Sequence, residues 1–435
     1  MRLLIRNGRL INPGTEFDGV ADVCVENGKI IALGDVPAGF RGDEEIDAGG
    51  QYVFPGIIDL CARLREPGFE YKATIASETA AAASAGITTL CCPPDTIPVI
   101  DNPSVVEMIR YRAQQSNKAS VLSIGALTPG LEGTQLSEMA ALKEIGAVAV
   151  SNALKPVKNT LVMRRAMEYA HSLGLTVFLF AEDPWLNGAG CAHEGVVSTR
   201  LGLDGIPEIA ETIAVARDLA LIEQIGVRAH FCHLSTAKAV SMIARAQHEG
   251  LPVSADVSAH QLHLTDMELG EFNALYHVRP PLRAIRDRDG LRSGLQRGNI
   301  RIICSDHQPH EVDAKIGPFS TTAPGISALE TLLPLTMRLV DDGTLTLNQA
   351  LACLTSEPAK ILGLDLGSLV VGARADICIY DPDKVWTFNE NTIQSEGLNS
   401  PFLGWEFEGR VTHTIYDGNV VYRLSTQESF NVSTY

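Results

Sequence analysis

The chain has 435 residues, 45% of them apolar and 20% charged, with a formal net charge of −17. That length accommodates one large α/β domain plus a smaller module, and the acid excess disfavours nucleic acid as a partner, since backbone binding relies on clustered Lys and Arg. No apolar run reaches the roughly 18 residues of a spanning helix, and the N-terminus MRLLIRNGRLINPG lacks a secretory pattern, so no membrane association is expected.

The first fifty residues read as short strands. Asn7-Gly8 and Asn27-Gly28 are hairpin-turn dipeptides flanked by alternating apolar residues. The far end repeats this texture, with strands expected at 375–380, 410–416 and 419–422 around the turn Asp417-Gly418. Neither half-set closes a core alone. The pattern predicts a small composite β-sandwich domain from residues 1–53 and 365–425, followed by a polar tail at 426–435. Between the halves, β-branched-rich segments recur at 56–60, 87–92, 120–127, 147–150, 176–180, 228–232, 252–257 and 300–304. Helical stretches such as 71–85, 161–173, 207–226 and 236–249 separate them, closed by Gly86, Gly174, Gly226 and Gly250. Residues 54–364 therefore read as a (β/α)₈ TIM-like barrel, with an open doubly wound sheet as the competing α/β architecture.

In such a barrel the residues following the strands build the site. These are Cys61 and Arg63, Asp95, Thr128, Asn152 and Ala153, Glu182 and Asp183, His233, His260 and His263, and Asp306, His307 and His310. His230 and His233 are an odd number of residues apart, so on a strand only one faces the barrel interior. Asp306 suits a general base, a metal ligand or a loop-fixing carboxylate. Glu182 and Asp183 suit an acid–base pair, although a solvated loop edge is the more ordinary reading. Cys61, His233 and Asp306 are acceptable zinc ligands. Arg63 at the same focus opposes the ion: two charges against one, at about 4 Å and an effective dielectric of about 20, repel by about 8 kcal/mol, a large part of a zinc site's binding energy. Residues 311–324 have few packing side chains and read as a loop suited to a lid. Nine cysteines without a CxxC pair argue against a disulfide framework and for a reducing cytoplasm. G-x-S-x-G, P-loop, G-x-G-x-x-G and H-E-x-x-H signatures are absent.

The stretch FPGIIDLCARLREPG, residues 54–68, resembles the opening metal-binding signature of the dihydroorotase family of the amidohydrolase superfamily, D-x-H-x-H-L-R-E-P-G. PPDTIPVID, HLST, PPLR, SDHQPH, APGISALE, EPAKILGL and GARADICIYDP extend the resemblance over nearly the whole chain. The family's two first-strand zinc histidines fall on Cys61 and Arg63, its bridging carboxylate on Ala153, and its next zinc histidine on Phe180. His233 and Asp306 are retained. Of the substrate pocket, Arg65 and His310 remain, while two asparagines of the family are replaced by Asp95 and Arg279.

The resemblance thus implies a catalytically inactive homologue, with a residual Asp306, no catalytic residue and no zinc or other cofactor. It is most similar to the non-catalytic dihydroorotase-like members that associate with aspartate carbamoyltransferase and support assembly of its catalytic chains in pyrimidine biosynthesis. A homo-oligomer in the cytoplasm accompanies that reading. Two alternatives stand beside it: a working hydrolase with an unusual zinc site around Cys61, His233, Asp306 and His310, and a metabolite sensor in which Arg63, Arg65 and Arg279 hold a carboxylate. In the inactive reading the Arg63 guanidinium takes the vacated metal volume and pairs with Asp306.

Overall fold

The strand Arg2–Arg6 runs antiparallel to Asp22–Glu26 and parallel to Glu44–Asp47, in a four-stranded sheet that Lys29–Gly34 completes. The structure, a computed structural model, describes residues 1–425, and the tail expected at 426–435 lies outside them. Asn27-Gly28 is the expected hairpin turn, with Glu26 facing Lys29. Asn7-Gly8 is not a hairpin: the strand that follows it, Arg9–Asn12, enters a second sheet. Here the chain bends between sheets, with Asn7 at φ 61°. Gly8 passes so close to Val53 that a Cβ would lie 2.4 Å from Val53 Cγ2. An Asn-Gly pair serves a bend as readily as a hairpin, because both need positive φ.

The second sheet draws on both ends of the chain. Its order is Asn419–Arg423, Glu406–Tyr416, Ile377–Thr387, Tyr52–Pro55, Arg9–Asn12, Phe17–Val20, and Asp417-Gly418 turns its outer hairpin. Leu3, Ile5, Val23 and Ile30 of the first sheet share one apolar cluster with Leu10, Val53, Ile377 and Ile415 of the second. The sandwich is therefore composite in its core as well as its strands. Because Tyr52–Pro55 pairs with Ile377–Thr387, the passage into the barrel falls at Gly56 rather than at Phe54.

All eight barrel strands form: Ile57–Asp59, Ile87–Cys92, Ser120–Ala126, Ala149–Ser151, Thr176–Phe180, Ala229–Cys232, Val253–Ser258 and Ile302–Cys304, each parallel to the next. Beyond the first and eighth strands Ala62 bridges His307, and the Arg63 amide donates to His307 O at 2.9 Å, which closes the barrel. Ile57 shares a cluster with Ala82 and Ile109 of the outer helices, whereas Ile58 joins Leu60, Cys91, Ile124 and Phe178 inside. Alternate residues of a strand face opposite sides, and here those sides are two separate cores.

Helices Ile75–Ser84, Thr160–Ser172, Glu208–Ile225 and Ala237–His248 lie on the outside. The first starts at Ile75 rather than at 71 because Thr74 and Ser77 form a capping box there. Gly86, Gly174, Gly226 and Gly250 all take the left-handed conformation that ends a helix. Residues 311–324 are better anchored than their composition suggests. Phe319 is buried with its ring 4.8 Å from that of His277, and Lys315 Nζ donates to Ala323 O at 2.7 Å. Among the described residues no helix is long and apolar enough to cross a membrane.

Candidate functional site

Five non-glycine residues within six positions after the end of a barrel strand hold a left-handed backbone: Arg65 at φ 64°, Leu131 at 60°, Ala153 at 47°, His233 at 55° and Asp306 at 48°. That conformation costs an L-residue about 1–2 kcal/mol, and such strain gathers where a site dictates backbone direction. Ala153 offers no polar side-chain atom there: its methyl group packs with Ala126 and Leu131, and its amide donates to Ser151 Oγ at 3.0 Å. At His233 the effect overturns the expectation that only one of the two histidines faces inward. A left-handed residue breaks the pleat, so both rings reach one carboxylate. His230 Nε2 lies 2.9 Å from Asp256 Oδ2, and His233 Nδ1 lies 3.4 Å from Asp256 Oδ1. The His233 amide also donates to Asp256 Oδ1 at 2.6 Å. Burial raises the Asp256 pKa, but His233 and His230 outweigh it and hold the carboxyl well below its ordinary value. Sequence reasoning passed over Asp256, although a lone carboxylate in the apolar seventh strand was the available signal.

Arg63 occupies the focus. It is 5% exposed. Nη1 donates to Asp306 Oδ1 at 3.0 Å, Nε donates to Asp95 Oδ2 at 2.8 Å, and Cys61 Sγ is 3.6 Å from Nη1. Burial works against the guanidinium charge, yet Asp95, Cys61 and Asp306 raise its pKa above the usual value. The pairing of Arg63 with Asp306 is as expected. The pairing with Asp95 was not foreseen, and it joins two departures from the family motif as mutual counter-ions.

A second pair of departures meets at the fifth strand. Arg279 forms an ion pair with Glu182, and its Cζ lies 5.7 Å from the Phe180 ring centroid, within cation–π range. Glu182 is buried and also accepts from Asn187 Nδ2 at 2.7 Å. Asp183 instead caps the short helix Pro184–Asn187, accepting from Trp185 N at 2.9 Å and Leu186 N at 3.0 Å. These carboxylates are neither an acid–base pair nor a solvated edge, because Arg279 buries one and the helix end engages the other.

Arg65 donates from Nε to Pro309 O at 2.8 Å, and its Nη2 lies 3.1 Å from His310 Nε2. Lys72 Nζ stands 3.1 Å from His310 Nδ1. Burial, then Arg65 and Lys72, push the His310 pKa down to about 2, so the ring is neutral. Burial and Arg63 lower Arg65 to about 10. Lys72 sits in no motif, and only the folded chain reveals it. Of the three arginines that a carboxylate sensor would use, Arg63 and Arg279 are engaged by the protein's own carboxylates.

The other candidates divide. Thr128 Oγ1 donates to Asn152 Oδ1 at 2.7 Å, His263 Nε2 lies 2.8 Å from Leu335 O, and His307 Nε2 lies 2.7 Å from the buried Glu78 Oε2. These are structural contacts. His260 is buried with neither ring nitrogen partnered, and burial lowers its pKa to about 4.

Cys61, His233 and Asp306 bring their ligand atoms within 4.8 Å of one another. The zinc on which the family depends does not fit these residues as the chain stands. The Arg63 guanidinium hydrogen-bonds the Asp306 oxygen that faces the other two ligands, and Ala153 and Phe180 contribute no donor atom. Burial opposes a charge on His233, but Asp306 and its neighbours raise the pKa well above the ordinary value. The adjoining cavity, lined by Cys61, Arg63, Ala153, Phe180 and His233, measures about 20 Å³. That is room for a water molecule, where ligand pockets span roughly 300–1,000 Å³.

Comparison with known proteins agrees with this scaffold. The family described as Dihydro-orotase-like matches residues 50–239, and a second, described as Amidohydrolase family, matches residues 312–422. A Dihydroorotase-like protein of Pseudomonas aeruginosa is 48% identical over 97% of this chain and 100% of its own length. A Dihydroorotase of Trichlorobacter lovleyi is 43% identical over 97% of this chain and 99% of its own. Among solved structures, an L-hydantoinase (dihydropyrimidinase) from Arthrobacter aurescens superposes with TM-score 0.86 at 25% identity, covering 97% of this chain and 96% of that one. A D-hydantoinase from a Thermus species gives TM-score 0.85 at 23% identity, covering 98% and 97%, a likeness of fold. With relatives this similar along their whole length, the chain belongs to the dihydroorotase family of the amidohydrolase superfamily.

Proposed function

We propose that this chain is a catalytically inactive, zinc-independent member of its family that supports assembly of aspartate carbamoyltransferase in the cytoplasm. One observation carries the inactivity: the Arg63 guanidinium, hydrogen-bonded to Asp306 and Asp95, sits among the positions where the family holds metal. Cyclic-amide hydrolysis of the family's kind draws on a metal to generate hydroxide near neutral pH and to polarise the carbonyl. Asp306, already bound to Arg63, supplies neither. The partner follows from the resemblance to non-catalytic members that associate with the transferase. A barrel kept whole around a metal focus occupied by Arg63 accords with it, since such a chain has its surface left to act with. Pairing of Arg63 and Arg279 with internal carboxylates weighs against both the hydrolase and the sensor readings.

The test is twofold. Purified full-length chain, assayed for dihydroorotate hydrolysis with and without zinc, is expected to show no turnover. Zinc-dependent turnover at about 1 s⁻¹ or faster, an ordinary enzymatic rate, overturns inactivity. Co-expressed with the transferase catalytic chain, it is expected to co-elute as a stoichiometric complex on size exclusion. Separate elution of the two chains at micromolar concentration overturns the partner.

A further inference from the structure

Asp306 Oδ1 lies 3.8 Å from Cys61 Sγ and 3.8 Å from His233 Nε2. Tetrahedral zinc with bonds of about 2.0–2.3 Å has ligand–ligand edges of about 3.3–3.6 Å. The two edges that meet at Asp306 are therefore within about half an ångström of those of a zinc tetrahedron, and the third, between Cys61 and His233, is no longer than 4.8 Å. Behind the face, His233 directs Nδ1 at Asp256 Oδ1, 3.4 Å away, and turns Nε2 toward Asp306. A carboxylate on the far nitrogen of a histidine is the outer support that metal-ligating imidazoles commonly carry. His260, buried and without a partner on either nitrogen, feels the charges of both Asp306 and His233. The neighbourhood thus has a donor face, an oriented imidazole and an unsatisfied polar group. What occupies it is Arg63 Nη1, 3.0 Å from Asp306 Oδ1 and 3.6 Å from Cys61 Sγ.

We infer that the Arg63 guanidinium stands in the place of a metal ion and masks a three-ligand site of Cys61, His233 and Asp306, which takes one zinc ion when the guanidinium is removed. The guanidinium and the ion are alternatives because both need the same Asp306 oxygen and both supply positive charge to a buried carboxylate. Asp95, freed by the same substitution, adds a negative charge close by. On binding, zinc takes Cys61 as the thiolate, and the thiol proton leaves to solvent. The site would be mixed Cys–His–Asp, with a fourth position open to water.

The experiment compares wild type, Arg63→Ala and the double variant Cys61→Ser/Arg63→Ala, each stripped with chelator and then dialysed against zinc or cobalt(II). Metal content and thermal midpoint are read with zinc, and the absorption spectrum with cobalt. Arg63→Ala is expected to hold one zinc per chain and to gain thermal stability from it. Its cobalt form is expected to show a thiolate charge-transfer band that disappears in the double variant. Wild type is expected to hold no stoichiometric zinc and to keep its midpoint in chelator. If Arg63→Ala does not fold, Arg63→Ala/Asp95→Asn removes both the guanidinium and the carboxylate it would leave unpaired, adds no new ligand, and must pass the same metal test. A folded variant that takes up no metal overturns this inference alone and leaves the proposed function intact. Stoichiometric zinc in wild type overturns the masking and the zinc-independent reading together.

Discussion

Arg63 is nearly enclosed, and both carboxylates that it binds approach from other strands. A buried ion pair is weak support for a fold by itself, but removing one partner leaves an uncompensated charge. Arg63→Met fills most of the volume without the charge and is expected to cost about 3–5 kcal/mol in urea unfolding, the usual penalty for stranding a buried carboxylate. A cost within experimental error would mean that Asp306 finds other solvation. Phe180 and Arg279 show the same logic in milder form, as an aromatic face and a cation that fill space together. Glu182 then becomes the counter-ion of Arg279.

Among the elements, the loops leaving the barrel strands keep a backbone shaped for a site. Ala153 follows the strand Ala149–Ser151 in a left-handed conformation at φ 47°, which glycine accepts freely and alanine does not. Ala153→Gly is therefore expected to stabilise the chain by about 1 kcal/mol, the relieved strain exceeding the added freedom of the unfolded chain. Chemical denaturation reads this directly, and a destabilised variant would mean that the methyl group packs better than its surroundings suggest. The short helix Pro184–Asn187 illustrates how such a loop is held, because Asp183 satisfies its first amides while Glu182 turns inward. Adjacent acidic residues thus carry separate duties.

Across the whole molecule, barrel and sandwich are held together by segments from both ends of the chain, and some of their joints are ionisable. Glu330, in the first turn of the helix Leu329–Asp341, accepts from the Gln394 amide at 2.5 Å, tying a barrel helix to the segment that leads back to the sandwich. Burial, with Glu78 adding to it, raises the Glu330 pKa from 4.5 to about 8. The folded chain then keeps a proton that the unfolded chain releases. The contribution to stability is full below about pH 4.5 and is lost as pH rises through about 8, at up to about 1.4 kcal/mol per pH unit. Glu330→Gln, neutral at every pH, should narrow its stability deficit, or gain an advantage, over wild type between pH 5 and pH 8. Parallel thermal-midpoint curves for the two proteins over that range would refute the shift.

What the sequence determined alone rests on local physics. Alternating apolar residues, caps and helix-ending glycines placed eight strands and the main helices, because pleat and turn periodicities are properties of short segments. The loss of metal ligands was equally readable, since alanine and phenylalanine have no donor atom in any fold. Tertiary structure decided the rest. The bend at Asn7-Gly8 depends on where Val53 lies, and the inward turn of His233 on a backbone angle that sequence spacing does not encode. Arg63 meets Asp95 and Asp306 across sequence separations of 32 and 243 residues, and Arg279 meets Glu182 across 97. A side chain's partner is chosen by which strands the barrel brings together, and only the closed barrel brings these together.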